Sequence, residues 1–76
     1  MSKVIDILGE VRPEFDFSQS SDFFGEGVLD SFDLLTLVSE LDRAYGISID
    51  GLDIVPENFA SVEKIEALVA RHGATP

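Results

Sequence analysis

The segment SFDLLTLVSELDRAY, residues 31–45, contains neither glycine nor proline, and Gly46 follows it directly. When successive residues are placed about 100° apart, as in an α-helix, one set of its apolar side chains shares a single side. These side chains are Leu34, Leu37, Val38, Leu41 and Tyr45. The pattern predicts an amphipathic helix that packs one side on a core and ends at the glycine. The other segments of so short a chain must pack against this helix.

Two large apolar residues of the same segment, Phe32 and Leu35, fall outside the core stripe. They lie among polar and charged residues that include Asp33, Ser39 and Glu40. Apolar side chains beside a charged rim form a candidate docking surface, although single exposed apolar residues are also ordinary.

Shorter segments on both sides of this helix complete an all-α pattern. The first helix has its apolar face at Val4, Ile5, Ile7, Leu8 and Val11, with Ser2 as a candidate N-cap and Pro13 as its end. Ile47 and Ile49 are interpreted as an extended loop that reaches the core, and Pro56–Phe59 as one short helical turn. Ser61 is the expected N-cap of a last helix that Gly73 closes, with a frayed end beyond it. The apolar face of that last helix comprises Val62, Ile65, Leu68 and Val69.

Residues 13–29 predict a long connection, because proline, serines and glycines interrupt any regular pattern. Phe15, Phe17, Phe23 and Phe24 suggest that this loop is pinned to the core. The fold expected from these elements is a small four-helix bundle, with three main helices and a short third helix. Residues 1–76 are expected to form a single domain.

Charge and composition narrow the functional classes. Fifteen acidic against five basic residues give a net charge of −10, which disfavours nucleic acid and anionic membranes and favours partners with basic patches. The ordinary alternative is that the charge only maintains solubility. The chain has no cysteine, no apolar run long enough for a bilayer and no signal-peptide pattern. A soluble, cytoplasmic monomer is therefore expected.

Neither catalysis nor metal binding is predicted. A nucleophilic serine needs an adjacent base, and the only histidine, His72, is interpreted as a solvated residue at a helix end. There is no G-x-S-x-G elbow and no EF-hand spacing. Ser31 nevertheless stands where a long loop meets a helix, and the unpaired amides there favour an attached phosphate. The simpler interpretation is that Ser31 is only the N-cap.

The sequence Asp30-Ser31-Phe32 resembles the Asp-Ser-Leu motif of acyl carrier proteins. The resemblance extends to the first helix, the long loop with Gly27-Val28-Leu29, the short third helix, and Ala60-Ser61-Val62 before the last helix. It implies a non-catalytic carrier whose Ser31, beside Asp30, receives 4′-phosphopantetheine from coenzyme A through a phosphopantetheinyl transferase. The resulting phosphoprotein would hold an acyl or aminoacyl group as a thioester, so the working thiol would come from the arm.

The resemblance also implies partner enzymes with basic patches: acyl- or aminoacyl-adenylating ligases, synthases or acyltransferases of fatty acid or secondary-metabolite biosynthesis. Contact residues carried over by position are Phe32, Leu35 and Ser39, and charged ones are Asp30, Asp33 and Glu40. Thr36 and Arg43 replace glutamates usual in fatty-acid carriers, while the Leu-Asp-Ser lead-in is similar to D-alanyl carrier proteins. A specialised stand-alone carrier is therefore favoured. The alternatives are an unmodified carrier-like interaction module and, from charge alone, an acidic inhibitor or nucleic-acid mimic.

Overall fold

The computed structural model describes residues 3–17 and 22–75, and within these ranges it is all-helical, with no strand. Helix α1 spans Lys3–Val11, α2 spans Ser31–Tyr45 and α3 spans Val62–Arg71. Two 3₁₀ helices, Gly51–Asp53 and Pro56–Phe59, lie between α2 and α3. The predicted helical bundle is confirmed, with the short third helix as the second 3₁₀ helix. The candidate cap Ser2 lies outside the described residues.

Helix α2 buries the predicted stripe. Leu34, Leu37, Val38 and Leu41 are buried, and Tyr45 packs against the core from its edge. Gly46 ends the helix in the left-handed region at φ 65°, and its amide donates to the Asp42 carbonyl. A glycine adopts this conformation without the steric cost that a side chain would add, which explains why the helix stops here.

Helices α1 and α3 contribute buried side chains to the same core as α2. Helix α1 buries Val4, Ile7 and Leu8 and packs against both other helices. It ends two residues before Pro13, because a proline disfavours helical geometry in the residue before it. Helix α3 starts at its predicted cap: the Ser61 hydroxyl oxygen accepts from the Lys64 amide at 3.2 Å. Its buried side chains are Ile65, Leu68 and Val69.

The long loop is pinned to the core, as predicted. Phe17 and Phe23 are buried, and their rings meet edge to face with centroids 5.1 Å apart. The Phe23 amide donates to the Ala60 carbonyl at 2.7 Å, and its own carbonyl accepts from Val28 and Leu29 at 2.8 and 3.1 Å. Phe24 packs at the core edge, whereas Phe15 stays exposed. Phe23 therefore joins the loop to the segment before α3 and to the residues leading into α2.

The connection between α2 and α3 is extended at first, as expected. Ile49 is buried, Ile47 packs beside the core, and the Ile49 amide donates to the Asp42 carboxylate at 3.0 Å. Phe59 in the second 3₁₀ helix is fully buried. The 3₁₀ helix Gly51–Asp53 was not predicted, because only three residues and one Asp50 cap define it.

Two expectations at the C-terminal end are wrong. His72 is not a solvated residue: its Nε2 lies 3.5 Å from the Asp53 carboxylate, and its side chain is mostly buried. Fraying does not begin at Ala74, since Ala74 packs on the core and its amide donates to the Val69 carbonyl at 3.0 Å. Contacts with Asp53 and with the core thus order residues 72–74, which the sequence pattern does not predict. Pro76 lies outside the described residues.

Two phenylalanines of the long loop provide a matched test of this packing. Phe23→Ala should lower the free energy of unfolding by about 3–5 kcal/mol, because it removes a fully buried ring. Phe15→Ala should cost about 1 kcal/mol or less, since that ring is 42% exposed. Urea unfolding followed by circular dichroism measures both values. Equal losses would show that the loop is not anchored through Phe23.

Candidate functional site

Ser31 is the first residue of α2 and lies exposed on the surface. The N-cap is the preceding Asp30, whose carboxylate accepts from the Asp33 amide at 3.0 Å. The Asp33 carboxylate accepts in return from the Asp30 amide at 3.2 Å, which completes a reciprocal capping box. The interpretation of Ser31 as the N-cap is therefore wrong. Its hydroxyl stands beside the helix start without being the group that caps it.

The residues before Ser31 fix where α2 begins. Leu29 is buried, and its amide donates to the Phe23 carbonyl. Gly27 turns the chain in the left-handed region at φ 74°, and its amide donates to the Phe24 carbonyl at 3.2 Å. Because the chain passes from buried Leu29 to an exposed residue two positions later, the hydrogen-bonded lead-in places Ser31 at the surface.

Arg12, just after α1, reaches the start of α2. Its Nε and Nη2 donate to one oxygen of the Asp33 carboxylate at 2.9 and 2.8 Å, and Nη2 lies 3.7 Å from the Asp30 carboxylate. Its Nη1 donates to Glu14 at 3.2 Å. The hydrogen bond to Asp33 is the main reason that the pKa of Arg12 is raised. Sequence reasoning missed this residue, because no local spacing relates Arg12 to a carboxylate 21 positions away.

The charge next to Ser31 is set by this arrangement. The hydrogen bond from the Asp33 amide, above all, holds the pKa of the Asp30 carboxyl below its usual range, and the Phe32 amide and Arg12 act in the same direction. Asp30 therefore stays ionised at neutral pH. At the start of α2 the Arg12 guanidinium partly offsets the charge of the Asp30 and Asp33 carboxylates, and this end of the helix dipole is positive.

The other predicted site residues divide into two groups. Phe32 and Leu35 are 80% and 61% exposed, and Ser39 is exposed on the same helix. Asp33 and Glu40 instead pair with cations of the same chain, Asp33 with Arg12 and Glu40 with Arg43. Only 15% of the Asp33 side chain is accessible. The apolar residues thus face solvent as expected, whereas these carboxylates are already engaged.

The described residues around Ser31 do not form a recognisable catalytic arrangement. The single histidine contacts Asp53, and Ser31 stands with carboxylates and an arginine, none of which is the base that a nucleophilic serine requires. Among residues 3–17 and 22–75, no group of three or more His, Asp or Glu side chains could hold a metal ion. Over the same residues, no helix is both long and apolar enough to cross a membrane.

One comparison with known proteins bears on this site. The family model for a phosphopantetheine attachment site matches residues 2–69, a range that includes all three α-helices up to the last turn of α3 and contains Ser31. No curated protein and no solved structure gives a significant match.

The Asp30 cap should be visible in the pH dependence of stability. Asp30→Asn keeps a capping oxygen but removes the charge. Because the pKa of Asp30 is lower in the folded than in the unfolded chain, its ionised form stabilises the fold above the usual value of 3.8, and this contribution disappears as the pH falls through the folded-state pKa. The melting temperature of the native chain relative to Asp30→Asn should therefore fall on acidification.

Thermal unfolding at a series of pH values measures this difference. Glu26→Gln, which removes an exposed charge from the loop before α2, controls for the general effect of net charge. A difference between native and Asp30→Asn that does not change with pH would contradict the role of Asp30 as an ionised cap.

Proposed function

Since the chain belongs to the phosphopantetheine attachment-site family, we propose that Ser31 is the residue to which its 4′-phosphopantetheine arm is attached. Proteins of this family are non-catalytic carriers that hold the arm covalently, so the chain is a carrier and not an enzyme. The observation that supports Ser31 is its exposed hydroxyl at the first position of α2, where Asp30 has taken over the capping role.

The surroundings of Ser31 fit a phosphodiester. Negative charge at a helix N-terminus is favoured by about 0.3–1 kcal/mol, and Arg12 offsets the carboxylates that would otherwise repel it. In loading, the Ser31 oxygen would bond to the pantetheine-bearing phosphorus of coenzyme A while the pyrophosphate P–O bond breaks, so that 3′,5′-adenosine bisphosphate leaves and the hydroxyl proton is released. The bound arm supplies the thiol that a chain without cysteine lacks.

The cargo in this proposal is an acyl or aminoacyl group held as a thioester. A phosphopantetheinyl transferase would load the arm, and an adenylating ligase, synthase or acyltransferase would charge or unload it. The Leu29-Asp30-Ser31 lead-in, together with Thr36 and Arg43 on α2, supports a specialised carrier. The one continuous core supports residues 1–76 acting as a single carrier domain.

Partner enzymes would contact α2 beside the attachment point. Phe32 and Leu35 present the largest exposed apolar surface of this helix, and Ser39 lies on the same face. Asp30 and Asp33 belong to the capping box, so in this proposal they hold the helix start in place as well as supplying charge. Glu40 is shared with Arg43.

An unmodified carrier-like interaction module is the second candidate. The exposure of Phe32 and Leu35 favours it, because a docking face of this kind needs no prosthetic group. The two proposals differ in one respect only, which is whether Ser31 accepts the arm.

Intact-protein mass after incubation with coenzyme A and a broad-specificity phosphopantetheinyl transferase distinguishes them. The native chain should gain one phosphopantetheine and Ser31→Ala none. Because Asp30 is the cap, Ser31→Ala should change the free energy of unfolding by less than about 0.5 kcal/mol, so loss of loading would not reflect unfolding.

Ser39→Ala is the matched control, since it removes another exposed hydroxyl from the same helix and should still be loaded. Loading of Ser31→Ala would refute the site. No loading of the native chain by several transferases would favour the unmodified module.

A further inference from the structure

The backbone holds Arg12 in place just after α1. The Arg12 amide donates to the Leu8 carbonyl at 2.9 Å, and the Arg12 carbonyl accepts from the Phe15 amide at 3.3 Å. Pro13 follows and restricts the backbone dihedral φ at its own position. Because the chain is hydrogen-bonded on both sides of Arg12, the side chain extends to the start of α2 from one defined point.

The contacts of the Arg12 guanidinium with α2 differ in strength. Nε and Nη2 donate to one oxygen of Asp33 at 2.9 and 2.8 Å, distances typical of charge-assisted hydrogen bonds. Nη2 lies 3.7 Å from the Asp30 carboxylate, which is too long for a hydrogen bond. Asp33 therefore anchors the guanidinium, and the contact with Asp30, the residue before Ser31, is the loose one.

The anchored guanidinium is shared among several anions. Each Nη nitrogen carries a second N–H, so the hydrogen bond to Asp33 does not exhaust Nη2. Nη1 donates to Glu14 at 3.2 Å, and the Glu14 side chain is 55% exposed. Negative charge thus already exceeds positive charge around Arg12. A further anion attached to Ser31 would increase this excess, and Arg12 is the cation that contacts this helix start.

We propose that Arg12 is the counter-charge of the arm: when Ser31 bears 4′-phosphopantetheine, the guanidinium, anchored on Asp33, donates to the phosphodiester in place of its loose contact with Asp30. This rests on the proposed function, because it requires the arm at Ser31. Consecutive Cα atoms are about 3.8 Å apart, so the phosphate is borne by the residue next to one that the guanidinium already approaches. A side-chain adjustment of Arg12 then makes the contact, and arginine binds phosphate oxygens strongly.

A purely structural role for Arg12 is the alternative. In that case Arg12 would join the end of α1 to α2 through Asp33 equally well in the chain without the arm and in the loaded chain. A counter-charge instead gives a stabilisation on loading that disappears with the guanidinium. The two roles therefore differ in how far loading changes the melting temperature, and not in the stability of either form alone.

Thermal unfolding of the unloaded and loaded forms measures this difference, with complete loading checked by intact mass. The loaded native chain should melt about 2–5 °C above the unloaded one at low salt, and NaCl should reduce the gain. In Arg12→Gln the gain should fall below about 1 °C. Arg12→Lys should restore part of it, because lysine keeps the charge without the planar fork. Arg71→Gln, which removes an exposed arginine from α3, is the matched control and should keep the native gain.

Glu14→Gln makes the opposite change. It removes the carboxylate that competes for Nη1, so the gain on loading should exceed the native gain by about 1–2 °C. Glu26→Gln, which removes an exposed charge from the loop before α2, controls for net charge and should leave the gain close to native. Because Glu14→Gln keeps Arg12, it tests the proposal independently of whether Arg12→Gln can be loaded.

Nuclear magnetic resonance of the loaded chain is the second readout. The phosphorus-31 signal of the phosphodiester should differ between the native chain and Arg12→Gln, and the Nε–H signal of Arg12 should move on loading. Unchanged signals, together with equal gains in the native chain, Arg12→Gln and Glu14→Gln, would overturn the proposal. A native chain that gains no arm with any transferase, or a Ser31→Ala chain that gains one, would instead refute the proposed function.

Discussion

The anchoring of the long loop through Phe23 is the interaction on which the position of the site depends. The ring is buried against Phe17, its amide reaches Ala60 before α3, and its carbonyl holds the amides of Val28 and Leu29. One residue thereby ties the entry of α2 to the entry of α3. A loop of this length without such an anchor would lose conformational entropy on every encounter with a partner. With the anchor, that entropy is lost once, on folding, and the first turn of α2 is already in place.

The charged side chains around the first turn of α2 pair mainly with one another. Arg12, just after α1, pairs with Asp33 and lies near Asp30 at the start of α2. The two carboxylates that the sequence analysis assigns to partner enzymes therefore also stabilise the fold. Glu40 and Asp42 repeat this farther along the helix. The carboxylates within α2 are therefore engaged in contacts of the same chain.

Periodicity made much of this structure predictable. The stripe from Leu34 to Leu41, the cap at Ser61 and the exposure of Phe32 and Leu35 all follow from local spacing, and the structure reproduces them. Ser31 was mistaken for a cap because Asp30 and Ser31 are both good capping residues; the Asp33 partner three residues after Asp30 was the available signal. The pairing of Glu40 with Arg43 was also within reach of helical spacing. Helical spacing could not predict the pairs Arg12–Asp33 and His72–Asp53, because only tertiary packing brings these residues together.

The assignment of the helix cap to Asp30 bears on how a change at the Ser31 oxygen would affect the stability of α2. Had Ser31 been the cap, every change at its oxygen would have altered the stability of α2, and bare and substituted forms would have differed in shape. Because the Asp30 carboxylate caps the helix, a substitution at the Ser31 oxygen would not remove the cap. In the proposed carrier, a group attached to the Ser31 oxygen would therefore leave the cap of α2 in place.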